Sequence, residues 1–477
     1  MSQQIPVKDI SPDPVKVYEP QYIDLYAKRE KIHARAISGF FQNIRVTTLY
    51  LTMAVFFLLP WLNWDGRQAI LFDLPERHFY IFWWTFLPRD FFFLSWILII
   101  AAFALFAATV FAGRVWCGYA CPQTVWTTVF MWIEELAEGN RNARMRLDKA
   151  PMSVRKFLRR SFKHAGWAVV AFATGVAFIG YFTPVRELWF NVVNGNLGFW
   201  VGFWLLFFTL ATYLNAGWMR EQVCLHMCPY GRFQSVMFDK DTLIISYDYH
   251  RGDPRGSRKR GTTSIENGLG DCIDCNMCVQ VCPTGIDIRD GLQFECIQCA
   301  ACIDACDSVM DQMGYERGLV RYTTENLLEK TGTGTYKFFR PRLIGYSAAL
   351  LLMVGALLFM LITRVPLSVE ALRDRGQLYN QNDAGWIENS YTLKIQNKAQ
   401  NEVIFVITAS SADFPINLQN SPIQLRISAG ELATLPITIE ADPSNIPSNN
   451  NKIEINVTRQ DDSRIKATTR NTFLAPR

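Results

Sequence analysis

Residues 270–283 read Gly270-Asp271-Cys272-Ile273-Asp274-Cys275-Asn276-Met277-Cys278-Val279-Gln280-Val281-Cys282-Pro283. The spacing is C-x2-C-x2-C-x3-C-P. It returns at Cys296, Cys299, Cys302 and Cys306, with Asp307 in place of the final proline. A 4Fe-4S cube needs one thiolate per iron. A tight C-x2-C-x2-C turn delivers three, and the fourth cysteine of each run reaches the other cube. The expected ligand sets are Cys272, Cys275, Cys278 with Cys306, and Cys296, Cys299, Cys302 with Cys282. Small residues such as Ala300 and Ala301 let backbone N–H groups approach the sulfurs, which raises the potential. Structural zinc rarely uses an eight-cysteine double run. This decides a dicluster ferredoxin fold, and with it one-electron chemistry.

Outward from that region the chain is apolar. Half of its 477 residues are hydrophobic, with 34 Phe and 14 Trp. Five runs reach transmembrane length: 46–62, 91–112, 165–182, 199–218 and 343–363. The aromatic run Phe79–Leu87 is too short to span alone, which leaves a re-entrant or interfacial placement, or part of an extra span, open. Residues 140–163 carry nine Arg or Lys against one acid, Asp148, whereas 184–198 hold only Arg186 and Glu187. The positive-inside rule then puts the basic segment and the ferredoxin region in the cytoplasm and the C-terminal region outside. The opening residues MSQQIPVKDISPDP show no basic stretch leading into an apolar one, so no cleaved signal peptide is expected. The net charge of +5 gives no basis for a nucleic-acid partner.

Four more cysteines form two C-x3-C-P motifs, Cys117 to Pro122 and Cys224 to Pro229, each following an apolar run. On a helix, i and i+4 share a face, so each pair presents two sulfurs together. Soft thiolates favour Cu(I), zinc or iron–sulfur, and His226 and Met227 add two candidate copper ligands. The alternatives are helix-end packing, since free Cys behaves as a small hydrophobe, and a disulfide between the motifs. No span carries a His at mid-depth, so no intramembrane haem is expected. Gly252, Gly256 and Gly261 lie in a basic loop without the strand–turn–helix context of a dinucleotide site.

After residue 363 the pattern changes. Short β-prone runs alternate with Gly, Pro, Asn and Asp: 391–395, 403–408, 423–427, 435–439 and 452–458. That is a β-sandwich of about 100 residues. The expected organisation is an α-helical membrane protein with about five transmembrane helices, an inserted bacterial-type dicluster ferredoxin domain and a C-terminal immunoglobulin-like β-sandwich. Its segments are 1–42, a cytoplasmic arm; 43–240, helices one to four with both C-x3-C-P motifs; 241–342, the ferredoxin-like domain; 343–363, helix five; and 364–477, a periplasmic sandwich.

The stretch Trp116-Cys117-Gly118-Tyr119-Ala120-Cys121-Pro122-Gln123-Thr124-Val125, the motif Cys224 to Pro229 and the double run Cys272 to Cys306 together resemble the cytochrome c oxidase accessory family CcoG, also called FixG or RdxA. The resemblance covers nearly the whole chain. Single C-x3-C-P pairs are shared with other membrane polyferredoxins, while the motif order and the sandwich favour this family. It implies a protein of the bacterial inner membrane that reduces Cu(II) to Cu(I) for the cbb-type oxidase, with oxidase-assembly or copper-delivery proteins as partners. It also carries the eight cluster cysteines and the four membrane-edge cysteines over at matching positions. The electron donor is unnamed, and a quinol or another protein are the options. A general electron conduit and a non-catalytic assembly factor are the competing readings. Asp307 departs from the ferredoxin pattern and bears on the second cluster's potential.

Overall fold

The computed structural model describes residues 31–260, 268–329, 336–337, 339–374, 376, 378–399 and 401–476. Most of the expected N-terminal arm, residues 1–30, lies outside the described residues. Five helices are long and apolar enough to cross a membrane: Phe40–Trp61, Phe91–Ala112, Val154–Ile179, Phe199–Met219 and Pro341–Ile362. In hydrocarbon every backbone group must bond within its own segment, which selects helices for these runs. Their few hydroxyls obey the same rule. Thr109 Oγ1 donates back to Leu105 O at 2.8 Å and Thr209 Oγ1 to Leu205 O at 2.7 Å. No side chain in the apolar window of Pro341–Ile362 is buried by protein, as suits a helix facing lipid. It leans on Phe91–Ala112, where Trp96 Nε1 donates to Met353 O at 3.0 Å.

The aromatic run 79–87 is not an extra span. His78–Ile81 and Trp84–Phe86 are strands of an antiparallel meander that begins with Ile70–Asp73. Phe79 sits opposite both Phe72 and Phe86. The turn at Arg77 (φ 58°) and the break at Phe82 (φ 50°) cut the run into pieces too short for a helix. The meander lies at the sandwich end of the helices. Asp90, beside it, receives Arg364 at 2.6 Å and Lys398 at 3.1 Å, and all three side chains are nearly buried.

The C-terminal unit is two packed antiparallel sheets. One runs Asn417–Leu418, Leu432–Ala441, Ile387–Asn397, Leu367–Arg373. The other runs Ile423–Ile427, Val403–Ser410, Asn450–Arg459, Lys466–Leu474. Alternate residues point inward, so Tyr391, Leu393, Ile395, Phe405, Ile407, Ile453 and Ile455 fill one dry core. The strands 367–373 and 466–474 are additional to those expected from sequence.

The ferredoxin region docks on the opposite end of the helices. Asp304, between two cysteines of the second run, accepts from the free N–H groups of Phe41 (3.2 Å) and Gln42 (2.7 Å) at the start of the first span. A carboxylate there satisfies orphan donors and suits the helix dipole. Gly39 permits the approach, because a Cβ at that position would lie 2.3 Å from the Asp304 carboxyl carbon.

Candidate functional site: two cysteine loops and a four-thiol set

The two four-cysteine loops share one backbone path. Residues on both sides of the middle cysteine take left-handed φ: Asp274 (51°) and Asn276 (57°) around Cys275, Gln298 (53°) and Ala300 (59°) around Cys299. Alternation of this kind turns successive N–H groups into a concavity, the form of many iron–sulfur sites. Arg289 clamps the first loop by reaching Asp274 Oδ1 at 2.6 Å and Asn276 Oδ1 at 2.5 Å. Sequence reading missed Arg289, because nothing in its spacing ties it to the cysteines. The second loop runs into the helix Ala301–Met313, so residue 307 is a helix-interior position. A proline there would break the helix, and Asp307 instead accepts from Gly318 N at 3.0 Å.

The fold sets Cys306 among Cys272, Cys275 and Cys278. It sets Cys282 beside Cys296, Cys299 and Cys302. Burial pushes the thiols up, Cys278 to about 11 and Cys296 and Cys306 to about 12. Bare thiols so placed are neutral at pH 7, and metal must displace their protons. All twelve cysteines are free thiols. Among the described residues no three His, Cys, Asp or Glu side chains converge as they would on a single ion. A cube asks for a different spread, one thiolate to each of four irons. The donor set and the two N–H concavities fit such clusters.

The C-x3-C-P pairs differ from the expected single helical face. Cys117 belongs to the short helix Val115–Tyr119, while Cys121 is extended (φ −60°, ψ 129°) and starts the helix Pro122–Glu138. Cys224 sits in the π-helical turn Val223–Met227, and Cys228 is extended (φ −80°, ψ 110°) ahead of Pro229–Met237. The proline is the cause. It disfavours helical geometry in the residue before it and suits the first turn of the next helix. Each second cysteine thus ends up at a helix N-terminus, where backbone N–H groups of Gln123 and Thr124 reach the Cys121 sulfur.

The four thiols are half-buried and lie within electrostatic reach of one another. Burial first, then neighbouring sulfurs, push Cys117 up to about 12 and Cys224 to about 11, against the pull of Arg114. His226 and Met227 are exposed on the same turn. Two residues of the helix Pro122–Glu138 join the motifs. Gln123 Nε2 donates to Asn215 O (2.9 Å) and Arg220 O (3.1 Å), and fully buried Glu134 pairs with Arg220 and, at 2.8 Å, with Lys31. The four-thiol set also abuts the second loop. Cys117 packs in one apolar cluster with Cys299, Cys302 and Ile297. A Cβ on Gly118 would lie 2.8 Å from the carbonyl oxygens of Ile297 and Gln298.

Comparison with known proteins gives the same parts. Residues 219–325 match the family model of a 4Fe-4S dicluster domain, 94–135 a 4Fe-4S binding domain, and 357–476 the IG-like fold at the C-terminal of FixG. Over 407 residues the chain is 40% identical to the nitrogen fixation protein FixG of Rhizobium meliloti, covering 78% of each. The chain belongs to the FixG family. Protein RdxB of Cereibacter sphaeroides is 38% identical over 89% of this chain and 91% of its own. A crystal structure of a FixG-related protein from Vibrio parahaemolyticus covers 23% of the chain at 25% identity, with a TM-score of 0.20. The two iron–sulfur matches take in all twelve cysteines of this FixG-family chain. It is an iron–sulfur electron-transfer protein of the membrane.

Proposed function

We propose that this FixG-family chain passes single electrons from two 4Fe-4S clusters to Cu(II) at the four-thiol set, yielding Cu(I) for assembly of a cbb-type oxidase. The ligands are Cys272, Cys275, Cys278 and Cys306 for the first cluster and Cys296, Cys299, Cys302 and Cys282 for the second. The clusters supply one-electron chemistry when bound. The observation that carries the reading is the packing of Cys117 into the apolar cluster that also holds Cys299 and Cys302, which sets the two sulfur sets side by side. Cu(II) is the substrate. It would gain the one electron that a reduced cluster gives up, and the soft thiolates of Cys117, Cys121, Cys224 and Cys228 would favour the Cu(I) product. Exposed His226 and Met227 offer weaker contacts through which a copper-delivery protein takes the ion.

The test is anaerobic, cluster-reduced protein titrated with Cu(II). Substituting Cys224→Ser together with Cys228→Ser is expected to leave both cluster spectra intact and to abolish copper-driven reoxidation. Reoxidation at the parent rate would return these cysteines to a packing role.

The cysteine-bearing end of the helices faces the cytoplasm in this proposal, and the sandwich faces the periplasm of a bacterial inner membrane. The support is the basic stretch Arg141 to Lys163, which lies at the cysteine end, where Arg144 Nη2 donates to Ala34 O at 2.6 Å. A periplasm-dependent reporter fused after Arg477 should be active. A fusion that reads as cytoplasmic sinks the arrangement.

A quinol-fed conduit is the second reading, and one feature favours it. Phe56, Trp126, Phe178 and Phe208 line an apolar cleft between helices, with Pro122 and Gln123 in its wall beside Cys121. A flat ring with an isoprenoid tail suits such a lining.

A further inference from the structure

Arg114 lies between the helix Phe91–Ala112 and the first C-x3-C-P motif, and only 5% of it is exposed. Its guanidinium donates to Phe294 O, two residues before Cys296, and to Gly231 O, three residues after Cys228. Its backbone N–H donates to Gln298 Oε1 at 2.7 Å, inside the second cysteine loop. That clamp is close, since a Cβ on neighbouring Gly113 would lie 2.6 Å from the Gln298 amide nitrogen. One side chain thus ties the first motif, the second motif and the second cluster loop together. Among the described residues no carboxylate pairs with it. Two carbonyl bonds satisfy donors but leave the charge, and a buried charge without a counter-ion is costly. The groups around it are sulfurs of both sets, Cys117, Cys224 and Cys296. As thiols these are neutral. With metal bound they are thiolates and supply the missing negative charge.

We propose that Arg114 is a positioning residue whose buried positive charge is shared by the second cluster and the four-thiol set, and that it holds the second cluster's potential up so that this cluster takes the electron bound for the thiol set. A fixed positive charge favours the more negative, reduced cluster, and it acts strongly where water is excluded. The first cluster's thiolates come from Cys272, Cys275, Cys278 and Cys306, whose neighbouring charges are Arg289, Asp287 and Asp307. Arg289 is neutralised by Asp274 and Asp287, whereas Arg114 has no carboxylate partner among the described residues, so the unbalanced positive charge lies at the second cluster. This inference rests on the cluster assignment proposed above, and it does not depend on copper being the acceptor.

The experiment is an anaerobic redox titration of the full chain, with each cluster followed by its paramagnetic resonance signal. Iron and sulfide are counted first. Arg114→Met and Arg114→Gln both remove the charge, and Gln keeps a donor. Each is expected to lower the reduced-to-oxidised ratio of the second cluster at least tenfold at fixed potential, equivalent to about 59 mV for one electron, while the first cluster stays put. Arg114→Lys is expected to restore most of that ratio. Equal shifts in both clusters, no shift in either, or a Gln variant matching the parent would overturn the proposal. If Met loses its iron, the Gln and Lys pair decides the same question. A parent protein without two clusters would instead refute the cluster assignment, and so the two failures are distinct.

Discussion

Changing Cys299 to Ser is expected to halve the iron of the purified protein, from about eight atoms per chain to about four. Cys299 is buried, and it packs with Cys302, Ile297 and Cys117. A serine hydroxyl there is a poor ligand for iron and an unsatisfied polar group in an apolar cluster. The second cluster's signal should vanish. The first should broaden, because Cys282 and Cys306 cross between the loops and couple them. Cys275 is the contrast. It is exposed, so Cys275→Ser should cost the first cluster with less damage to its neighbour. Anaerobic iron and sulfide analysis with resonance spectra decides it. Eight irons retained in Cys299→Ser, or four in the parent, would remove the two-cluster assignment.

Glu134→Ala is expected to cost about 3–5 kcal/mol, the usual penalty for stripping one partner from a buried ion pair. Glu134 is fully buried. Burial alone would raise its carboxyl, but Arg220 and Lys31 outweigh that and hold it at about 2. Because the folded value lies below the ordinary one, the stabilisation is complete above about pH 4.5 and disappears as pH falls towards 2. Loss of the carboxylate strands Arg220, four residues before Cys224. Thermal unfolding in detergent should show the variant melting well below the parent at pH 7, with the gap closing in acid. A gap that stays constant from pH 7 to pH 2 would mean that packing, not charge, is what Glu134 provides.

What the chain announces in sequence is what is local. The cysteine spacings fix two loops, and uninterrupted apolar runs fix five helices, since neither depends on distant partners. The segment 70–86 escaped because its aromatic residues satisfy a membrane reading as well as a strand reading, and only the turns at Arg77 and Phe82 choose between them. Strand Lys466–Leu474 escaped for another reason: Lys466, Thr468 and Arg470 face outward along a strand with few large apolar residues. The C-x3-C-P pairs misled because i,i+4 arithmetic assumes one continuous helix, and the proline ends it. Least legible were the long-range charges. Glu134 with Arg220, Asp304 with the first span and Arg114 with the second motif and the second cysteine loop join residues from 86 to 263 positions apart. No spacing rule reaches so far.

The Asp304 cap has a consequence in time. A ribosome makes Phe41 263 residues before it makes Asp304. The first helix therefore enters the bilayer with its opening N–H groups still facing water, and it is seated finally only when the second cysteine run has been synthesised and folded. Because Asp304 lies between Cys302 and Cys306, that folding is the same event that shapes the iron site. Whatever shapes the second cysteine run therefore also completes the cap of the first helix, and the two cannot mature independently.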